Sequence, residues 1–191
     1  PSDYCTSVGN ASNDWISRVV FNTIDNASDQ DEYGDYTAIS TRVSIGQAIQ
    51  LQLEPGKTNA SDDEYWRIWI DYNQDETFDQ GTELVYSFFG KGNVYGTLFV
   101  QDDAQTGPTR MRIAMQRDGY LEDACENPSF GEVEEYTLII NPAATARSGA
   151  KTSQTNLLSD WQIAPNPARD FLNVQWSGLT TGAPVELEVV N

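Results

Sequence analysis

An acidic segment, DYNQDETFDQGTEL over residues 71–84, carries oxygen-bearing side chains at the spacing of a metal-binding loop. The first, third and fifth positions are acids or amides, so a tight turn brings their oxygens towards one centre. Ca²⁺ takes about six to eight oxygen ligands, whereas Mg²⁺ suits an all-protein cage less well. The segment therefore predicts a Ca²⁺ site, with ligands Asp71, Asn73, Asp75, the Thr77 carbonyl and Glu83.

This segment departs from the EF-hand loop in two places. Glu76 stands where the sharp turn usually has glycine, and the closing acid, Glu83, comes one position later than in an EF-hand. Both departures favour a loop carried by a β scaffold, with Phe78 anchoring it to the core. The alternative is a turn that binds nothing, because Asp and Asn favour such turns anyway.

A second acidic stretch, GEVEEYTL over residues 131–138, opens an apparent core strand with Glu132, Glu134 and Glu135. Alternation places Glu132 and Glu134 on one face and Glu135 on the other. Like charges this close need a cation nearby, which Arg110, Arg112, Arg117 or a metal could supply. Paired carboxylates also suggest glycoside hydrolysis, but nothing else indicates an active site, and we expect no enzyme.

Composition excludes several classes of function. The chain has no histidine, which removes His-based triads and most catalytic zinc sites. Its net charge of −18 disfavours nucleic acid and anionic lipid as partners. Its two cysteines, Cys5 and Cys125, would pair in a secreted chain; two free buried thiols are the alternative. No apolar run is long enough for a transmembrane helix, so we expect no membrane insertion.

The elements that position these residues are predicted to be strands, because short β-rich runs recur between turn residues and helical periodicity is nearly absent. The runs are 15–24, 36–45, 48–55, 64–72, 83–90, 94–101, 109–117 and 132–140. Their number and spacing predict an all-β, antiparallel, jelly-roll-like sandwich. We expect 36–45 to pair with 48–55 across Gly46, and 83–90 with 94–101 as a hairpin.

Alternation within these runs assigns faces. Met111, Ile113 and Met115 share one face of their strand and are predicted to be core residues. Trp66 and Trp69 fall on opposite faces, so at most one points outward. An exposed aromatic ring could stack on a sugar, although filling or covering the sandwich core is the alternative.

The composition of the chain changes after Pro142. Residues 143–158 are mostly small and polar without periodicity, which predicts a linker between a β-sandwich over 1–142 and a second β-rich unit over 159–191. The second unit is too short for an independent sandwich, and we expect it to be truncated.

Separated motifs in the first unit resemble the GEVED domain of secreted Bacteroidetes-type proteins. They are IWIDYNQDETFDQGTEL, then TRMRIAM, then CENPSFGEVEEYTL, with DYC near the start and DYT at 35–37. The resemblance spans about residues 3–140. Glu135 stands where the family usually has Asp, and Glu76 replaces the usual glycine of the acidic loop. The resemblance implies an accessory module appended to a larger secreted or surface protein.

The second unit resembles a type A C-terminal sorting domain of the type IX secretion system. APNPARDFLNVQW, over residues 164–176, carries the pattern of its first strands. This implies an Ig-like β fold, the type IX secretion machinery as partner, and a secreted or outer-membrane cell-surface location. The chain is thus predicted to be a calcium-stabilised accessory or adhesion module, with a glycan or surface polymer as a further partner. The alternative is a carbohydrate-binding module appended to a secreted hydrolase or peptidase.

Overall fold

A computed structural model describes residues 4–59 and 62–143 of the chain, and the backbone of two later strands, Asp160–Ala164 and Asn173–Ser177. The chain divides into two compact units, Pro1–Thr145 and Ala146–Asn191. The predicted linker lies, from residue 144 onward, outside the described residues.

The described part of the first unit is built from nine strands. They are β1 Asp14–Phe21, β2 Ile24–Ala27, β3 Tyr33–Ser44, β4 Ala48–Lys57, β5 Glu64–Ile70, β6 Leu84–Gly90, β7 Val94–Phe99, β8 Gly107–Arg117 and β9 Gly131–Asn141. Each predicted run overlaps a strand, but the run 15–24 breaks at Asn22, whose φ of 52° turns the chain from β1 into β2. The all-β prediction is confirmed for this part of the chain.

The strands form two sheets that fit a β-sandwich. One sheet has the order β2-β1-β4-β7 and the other β3-β9-β8-β5-β6. All the pairs are antiparallel except β3 and β9, which are parallel. The prediction of a fully antiparallel sandwich is therefore wrong at this pair. The jelly-roll assignment stays a prediction.

Both predicted strand pairs across short turns are wrong. Gly46, with φ of 75°, leads the chain out of β3 in one sheet and into β4 in the other. Similarly, β6 pairs with β5, and β7 pairs with β4, on different sheets. Both short connections therefore form corners at which the chain passes from one sheet of the sandwich to the other.

The five-stranded sheet is buried on both faces. Met111, Ile113 and Met115 face the main core between the sheets, as predicted, together with Trp66. Trp69 lies in a second cluster on the opposite face, which confirms that the two tryptophans point apart, and both are buried. The second cluster consists of Trp69, Phe78, Ala114, Leu121, Ala124 and Val133, with Tyr4, Tyr33 and Leu84 packed against it.

In the second unit, β10 (Asp160–Ala164) and β11 (Asn173–Ser177) form an antiparallel pair. The rest of the predicted Ig-like sorting domain, including residues 165–172 and 178–191, lies outside the described residues. In the described parts of the chain, no helix has the length and apolar character needed to cross a membrane.

Candidate functional site

The acidic loop begins where β5 ends, and its first acid is buried. Asp71 Oδ2 accepts a hydrogen bond from the hydroxyl of Tyr4 at 2.5 Å and another from the amide of Glu76 at 3.2 Å. Its other oxygen, Oδ1, is buried and has no hydrogen-bond partner among the described residues. A buried carboxylate oxygen left without a donor is costly, so this atom could accept a hydrogen bond from a water molecule or bind a cation.

On the exposed side of the loop, side-chain oxygens accept hydrogen bonds from other residues of the loop. Asp75 Oδ1 accepts from the backbone N–H of Thr77 at 2.9 Å and from its hydroxyl at 2.6 Å. Asn73 Oδ1 accepts from the amide of Asp75 at 2.9 Å. These bonds stabilise the charged carboxylate, so the Thr77 contacts lower the pKa of Asp75. The loop is therefore ordered by bonds between residues two positions apart.

Glu83 closes the loop from the inside. Its Oε1 accepts from the amides of Tyr72 at 3.0 Å and Asn73 at 3.3 Å, and its Oε2 from the amide of Asp79 at 2.9 Å. The side chain is buried, and burial raises its pKa. Glu83 thus ties both ends of the loop together through backbone amides.

The turn that usually needs glycine is made by Glu76 with φ of 63°, in the left-handed region. Two residues later, the side chain of Phe78 is buried in the second cluster, and its ring lies 5.1 Å from the ring of Tyr4. The loop is therefore anchored as the sequence predicted, and its sixth residue adopts the conformation that glycine takes most readily.

The donor set of this loop consists of carboxylate and amide oxygens, which is the chemistry that a hard cation such as Ca²⁺ prefers. Asp71 Oδ1 has no hydrogen-bond partner among the described residues. Asp75 Oδ2 accepts one hydrogen bond, from the side-chain amide of Asn73 at 2.9 Å. Across the described residues, no three or more acidic or cysteine side chains are grouped so that they could hold a metal. A cation here would rely on amide and carbonyl oxygens as well as on acids.

The glutamates of β9 are built into the fold. Glu132, buried on the face towards the main core, accepts the amide of Ile16 on β1 at 2.9 Å through Oε2, while Oε1 has no partner among the described residues. Burial raises the pKa of Glu132 to about 8. This side chain therefore links the two sheets and is held close to its neutral form.

Glu134 lies on the same face and is also buried. Ser28 Oγ lies 2.7 Å from its Oε1, and the Tyr136 hydroxyl donates to its Oε2 at 2.7 Å. Ser28 Oγ also lies 2.9 Å from the carbonyl of Ile16, and its one proton can serve only one of these two acceptors. Because burial raises the pKa of Glu134 to about 7, a protonated Glu134 can donate to Ser28, which then donates to Ile16.

Glu135 points to the opposite face and meets two arginines. Arg112 donates through Nε at 2.8 Å and through Nη2 at 2.5 Å to Oε1, and Arg110 pairs with Oε2. The Tyr33 hydroxyl donates to Oε2 at 2.8 Å. Two of the three arginines proposed as counter-ions thus lie against Glu135; the third, Arg117, instead faces Asp14 and Asp62.

Arg112 also holds the disulfide region. Cys5 and Cys125 form a disulfide across 120 residues of sequence, so the predicted pairing is confirmed. Arg112 Nη2 donates to the carbonyl of Cys5 at 2.6 Å, and Nη1 donates to the carbonyl of Ala124 at 2.6 Å. The buried guanidinium therefore connects β9, the N-terminal segment and the Cys125 loop.

A buried acid pair, Asp14 and Glu64, was not predicted. All four carboxylate oxygens lack a hydrogen-bond partner among the described residues. Lys57 and Arg117 each stand 3.7 Å from one of them. Burial, the leading cause for each, raises the pKa of both carboxyls, so the pair is expected to share a proton. Glu64 lies two positions before Trp66 on β5, so the two side chains are on the same face of the strand.

The described residues expose five large hydrophobic side chains, and four of them lie on β6 and β7. They are Phe88, Phe89, Tyr95 and Phe99, while the fifth is Val8. Neither Trp66 nor Trp69 is exposed. Among the described residues, the exposed aromatic surface is therefore carried by the two edge strands and not by Trp66 or Trp69.

The comparisons with known proteins agree with part of the sequence analysis. No curated protein matches the chain. One family model matches the part of the chain that runs from β5 to β9 and includes the acidic loop and the three glutamates of β9. This part of the chain, residues 65–139, matches the GEVED domain, which is consistent with an accessory module.

Proposed function

We propose that this chain is a non-catalytic, calcium-stabilised accessory or adhesion module of a secreted or cell-surface protein. The observation that carries the calcium proposal is the buried Asp71, whose Oδ1 has no donor at the head of a loop with Asp, Asn and Asp at alternate positions. A bound cation would satisfy this oxygen and would stabilise only the folded chain.

The residues proposed to hold Ca²⁺ are Asp71, Asn73, Asp75, Thr77 through its carbonyl, and Glu83. Ca²⁺ would supply positive charge to an acidic loop and fix its conformation. Glu83 Oε2 accepts one amide, from Asp79, and a carboxylate oxygen can accept more than one partner. Glu83 Oε2 therefore keeps a lone pair for a cation.

A non-catalytic role is supported by how the glutamates of β9 are used. Glu132, Glu134 and Glu135 are all buried and are bonded to other strands and loops. A glycosidase pair needs two carboxyl groups facing a substrate across a cleft. We therefore assign the three glutamates to the architecture of the sandwich.

Secretion is proposed from the sequence of the second unit, where residues 164–176 resemble the start of a type IX sorting domain. The type IX secretion machinery is then the partner of that unit, and the outer-membrane surface or the medium is the location. The disulfide between Cys5 and Cys125 supports an extracellular setting, because disulfides persist in oxidising compartments.

The test of the calcium proposal is the melting temperature in EDTA and in millimolar Ca²⁺. We expect Ca²⁺ to raise the Tm of the chain and of Asp79→Asn, a matched variant that alters another loop acid. The side chain of Asp79, the part that this variant changes, accepts hydrogen bonds from Gly81 and Thr82 within the loop. Asp71→Asn should lose the response, because the partnerless carboxylate oxygen is gone. An equal Ca²⁺ response in Asp71→Asn would contradict the site.

The alternative is a carbohydrate-binding module appended to a secreted hydrolase or peptidase. One observation favours it: exposed aromatic side chains are concentrated on β6 and β7. Aromatic rings give large contact area at low conformational cost, as sugar recognition needs. Screening the chain on a glycan array separates a binding module from a spacer.

A further inference from the structure

The outer face of the four-stranded sheet carries an uncharged strip along its open edge. The edge strand is β7, which pairs with β4 on one side only. Their register places Ala48 opposite Phe99, Gln50 opposite Thr97, and Gln52 opposite Tyr95. We name these six residues the β4–β7 face: Ala48, Gln50, Gln52, Tyr95, Thr97 and Phe99.

Two aromatic rings mark the ends of this face. Tyr95 is 67% exposed and Phe99 is 66% exposed, whereas Val94 and Leu98 on the same strand are buried. The two rings are four residues apart on one side of β7, which corresponds to about 13 Å along a strand. Each ring can therefore stack on a separate unit of one extended ligand.

Polar groups fill the space between the rings. Gln50 Nε2 donates to Thr97 Oγ1 at 2.8 Å, and Gln52 Nε2 donates to Glu54 at 2.6 Å. The amide oxygens of Gln50 and Gln52 accept no hydrogen bond from the described residues, and Gln50 and Thr97 are exposed. A ligand with hydroxyl groups would find acceptors and further N–H donors between two apolar platforms.

The net charge of the chain favours some classes of ligand for the β4–β7 face over others. None of the six residues is charged, in a chain of net charge −18. A second copy of this chain, or an acidic polymer, would be repelled at long range, whereas a neutral polymer would not. An apolar protein segment would leave the side-chain amides of Gln50 and Gln52 without hydrogen-bond partners, because such a segment offers no hydroxyl groups.

We propose that the β4–β7 face binds a neutral polysaccharide lying along β7. A sugar ring stacks on Tyr95 and another on Phe99, and the hydroxyls between them bond to Gln50, Gln52 and Thr97. This inference deepens the accessory role proposed above, on which it rests, by naming the class of ligand and the face that binds it. It uses neither the acidic loop nor the glutamates of β9.

The test is native affinity electrophoresis of the full chain in gels that contain neutral polysaccharides, namely a β-glucan, a xylan and a galactomannan, with alginate as the acidic comparison. We expect at least one neutral polymer to retard the chain and alginate to have no effect. The double variant Tyr95→Ala, Phe99→Ala should weaken binding about tenfold or more, as truncation of central aromatic anchors does. Both side chains are exposed, so the variant should keep the wild-type Tm.

The matched control is Phe89→Ala. Phe89 is 56% exposed but lies on the five-stranded sheet, where it stacks on Tyr65 at 5.4 Å. Retardation should survive in this variant. An equal loss in Phe89→Ala, retardation by alginate alone, or no retardation by any neutral polymer would overturn the proposal. So would a dimer of the unsubstituted chain that the double variant converts to a monomer.

The calcium experiment keeps the two proposals apart. A chain whose Tm rises with Ca²⁺ but which no neutral polysaccharide retards would overturn the β4–β7 inference and leave the accessory module standing. Retardation without any response to Ca²⁺ would uphold the β4–β7 face and overturn the calcium site.

Discussion

The acidic loop and the glutamates of β9 use the same chemical group in opposite ways. In the loop, Asp75 is exposed, and its bonds to Thr77 lower its pKa. In β9, Glu132 and Glu134 are buried, and burial raises their pKa values to about 8 and about 7. Asp75 of the loop is therefore kept charged at the surface, whereas Glu132 and Glu134 are held near neutrality inside the fold. Glu83, the buried acid of the loop, also has a raised pKa.

The two regions also differ in the range of their contacts. Asp75 bonds Thr77, two residues away, whereas Glu132 bonds Ile16 across 116 residues and Glu134 meets Ser28 across 106. Bonds between neighbours in sequence order the exposed part of the loop, although Asp71 also accepts a hydrogen bond from Tyr4 across 67 residues. The bonds of Glu132 and Glu134 to Ile16 and Ser28 exist only when the sheets have assembled.

The largest effect should follow from breaking the buried ion pair of β9. Arg112→Met leaves Glu135 without its main counter-ion and the carbonyls of Cys5 and Ala124 without a donor. Removing one partner of a buried pair costs about 3–5 kcal/mol. Urea denaturation monitored by tryptophan fluorescence should show this loss in the free energy of unfolding.

Its control is Arg18→Met, which removes an exposed arginine paired with Asp25. Exposed pairs contribute little, so this variant should unfold at nearly the wild-type urea concentration. Equal midpoints for the two variants would contradict an architectural role for the Glu135 pair.

The next largest effect should come from Gly131, the first residue of the GEVE segment. A Cβ at this position would lie 1.9 Å from the carbonyl oxygen of Met115. Gly131→Ala must therefore push β8 and β9 apart, at a cost of about 2–3 kcal/mol. Gly92→Ala is the control, since nothing lies within 4 Å of its Cβ position. A Gly131→Ala midpoint in urea equal to that of Gly92→Ala would refute this close approach.

Neutralising Glu132 should stabilise the chain at alkaline pH. Its pKa rises from 4.5 in the unfolded chain to about 8 in the folded chain, so the folded state binds the proton more tightly. The stability from this proton is present at acidic pH and is lost as the pH rises from about 4.5 to about 8. Glu132→Gln should therefore gain on the order of 2 kcal/mol at pH 8 and almost nothing at pH 4.5.

Thermal melts in EDTA at the two pH values would measure this gain. The exposed Glu122→Gln serves as the control and should show no gain that depends on pH. A Tm of Glu132→Gln that was lowered equally at both pH values would show that the neutral form of Glu132 is not the form that supports the fold.

The smallest effect should come from Asp75→Ala in EDTA. The pKa of Asp75 is lowered in the folded chain, so its contribution is present above the unfolded value of 3.8 and is lost as the pH falls through the lower folded pKa. The variant should melt slightly below the wild type at neutral pH and at the same temperature in strong acid. Asp29→Ala, another exposed acid, should match the wild type at both pH values.

Much of the fold followed from local pattern. Alternation placed Met111, Ile113 and Met115 in the core, and it placed Trp66 and Trp69 on opposite faces, because side-chain direction in a strand depends only on position along it. Pairing between strands did not follow. The turns at Gly46 and at residues 91–93 are as short as hairpin turns, yet both change sheet, because turn length and alternation do not specify which strands pair.

The spacing of Asp71, Asn73 and Asp75 predicted a Ca²⁺ site, with a turn that binds nothing as the alternative. The loop has the short-range bonds of a tight turn, and its Ca²⁺ site stays a prediction. The pairing of Asp14 with Glu64 was missed, because the two acids are brought together only by assembly of the two sheets.

Isothermal titration calorimetry with Ca²⁺ would test most directly whether the loop acids, and not the acids of β9, bind an ion. The titrations would use the chain, the loop variant Asp71→Asn with Asp75→Asn, and the strand variant Glu132→Gln with Glu134→Gln. We expect the chain and the strand variant to bind one ion and the loop variant to bind none. Binding retained by the loop variant and lost by the strand variant would overturn the proposed site.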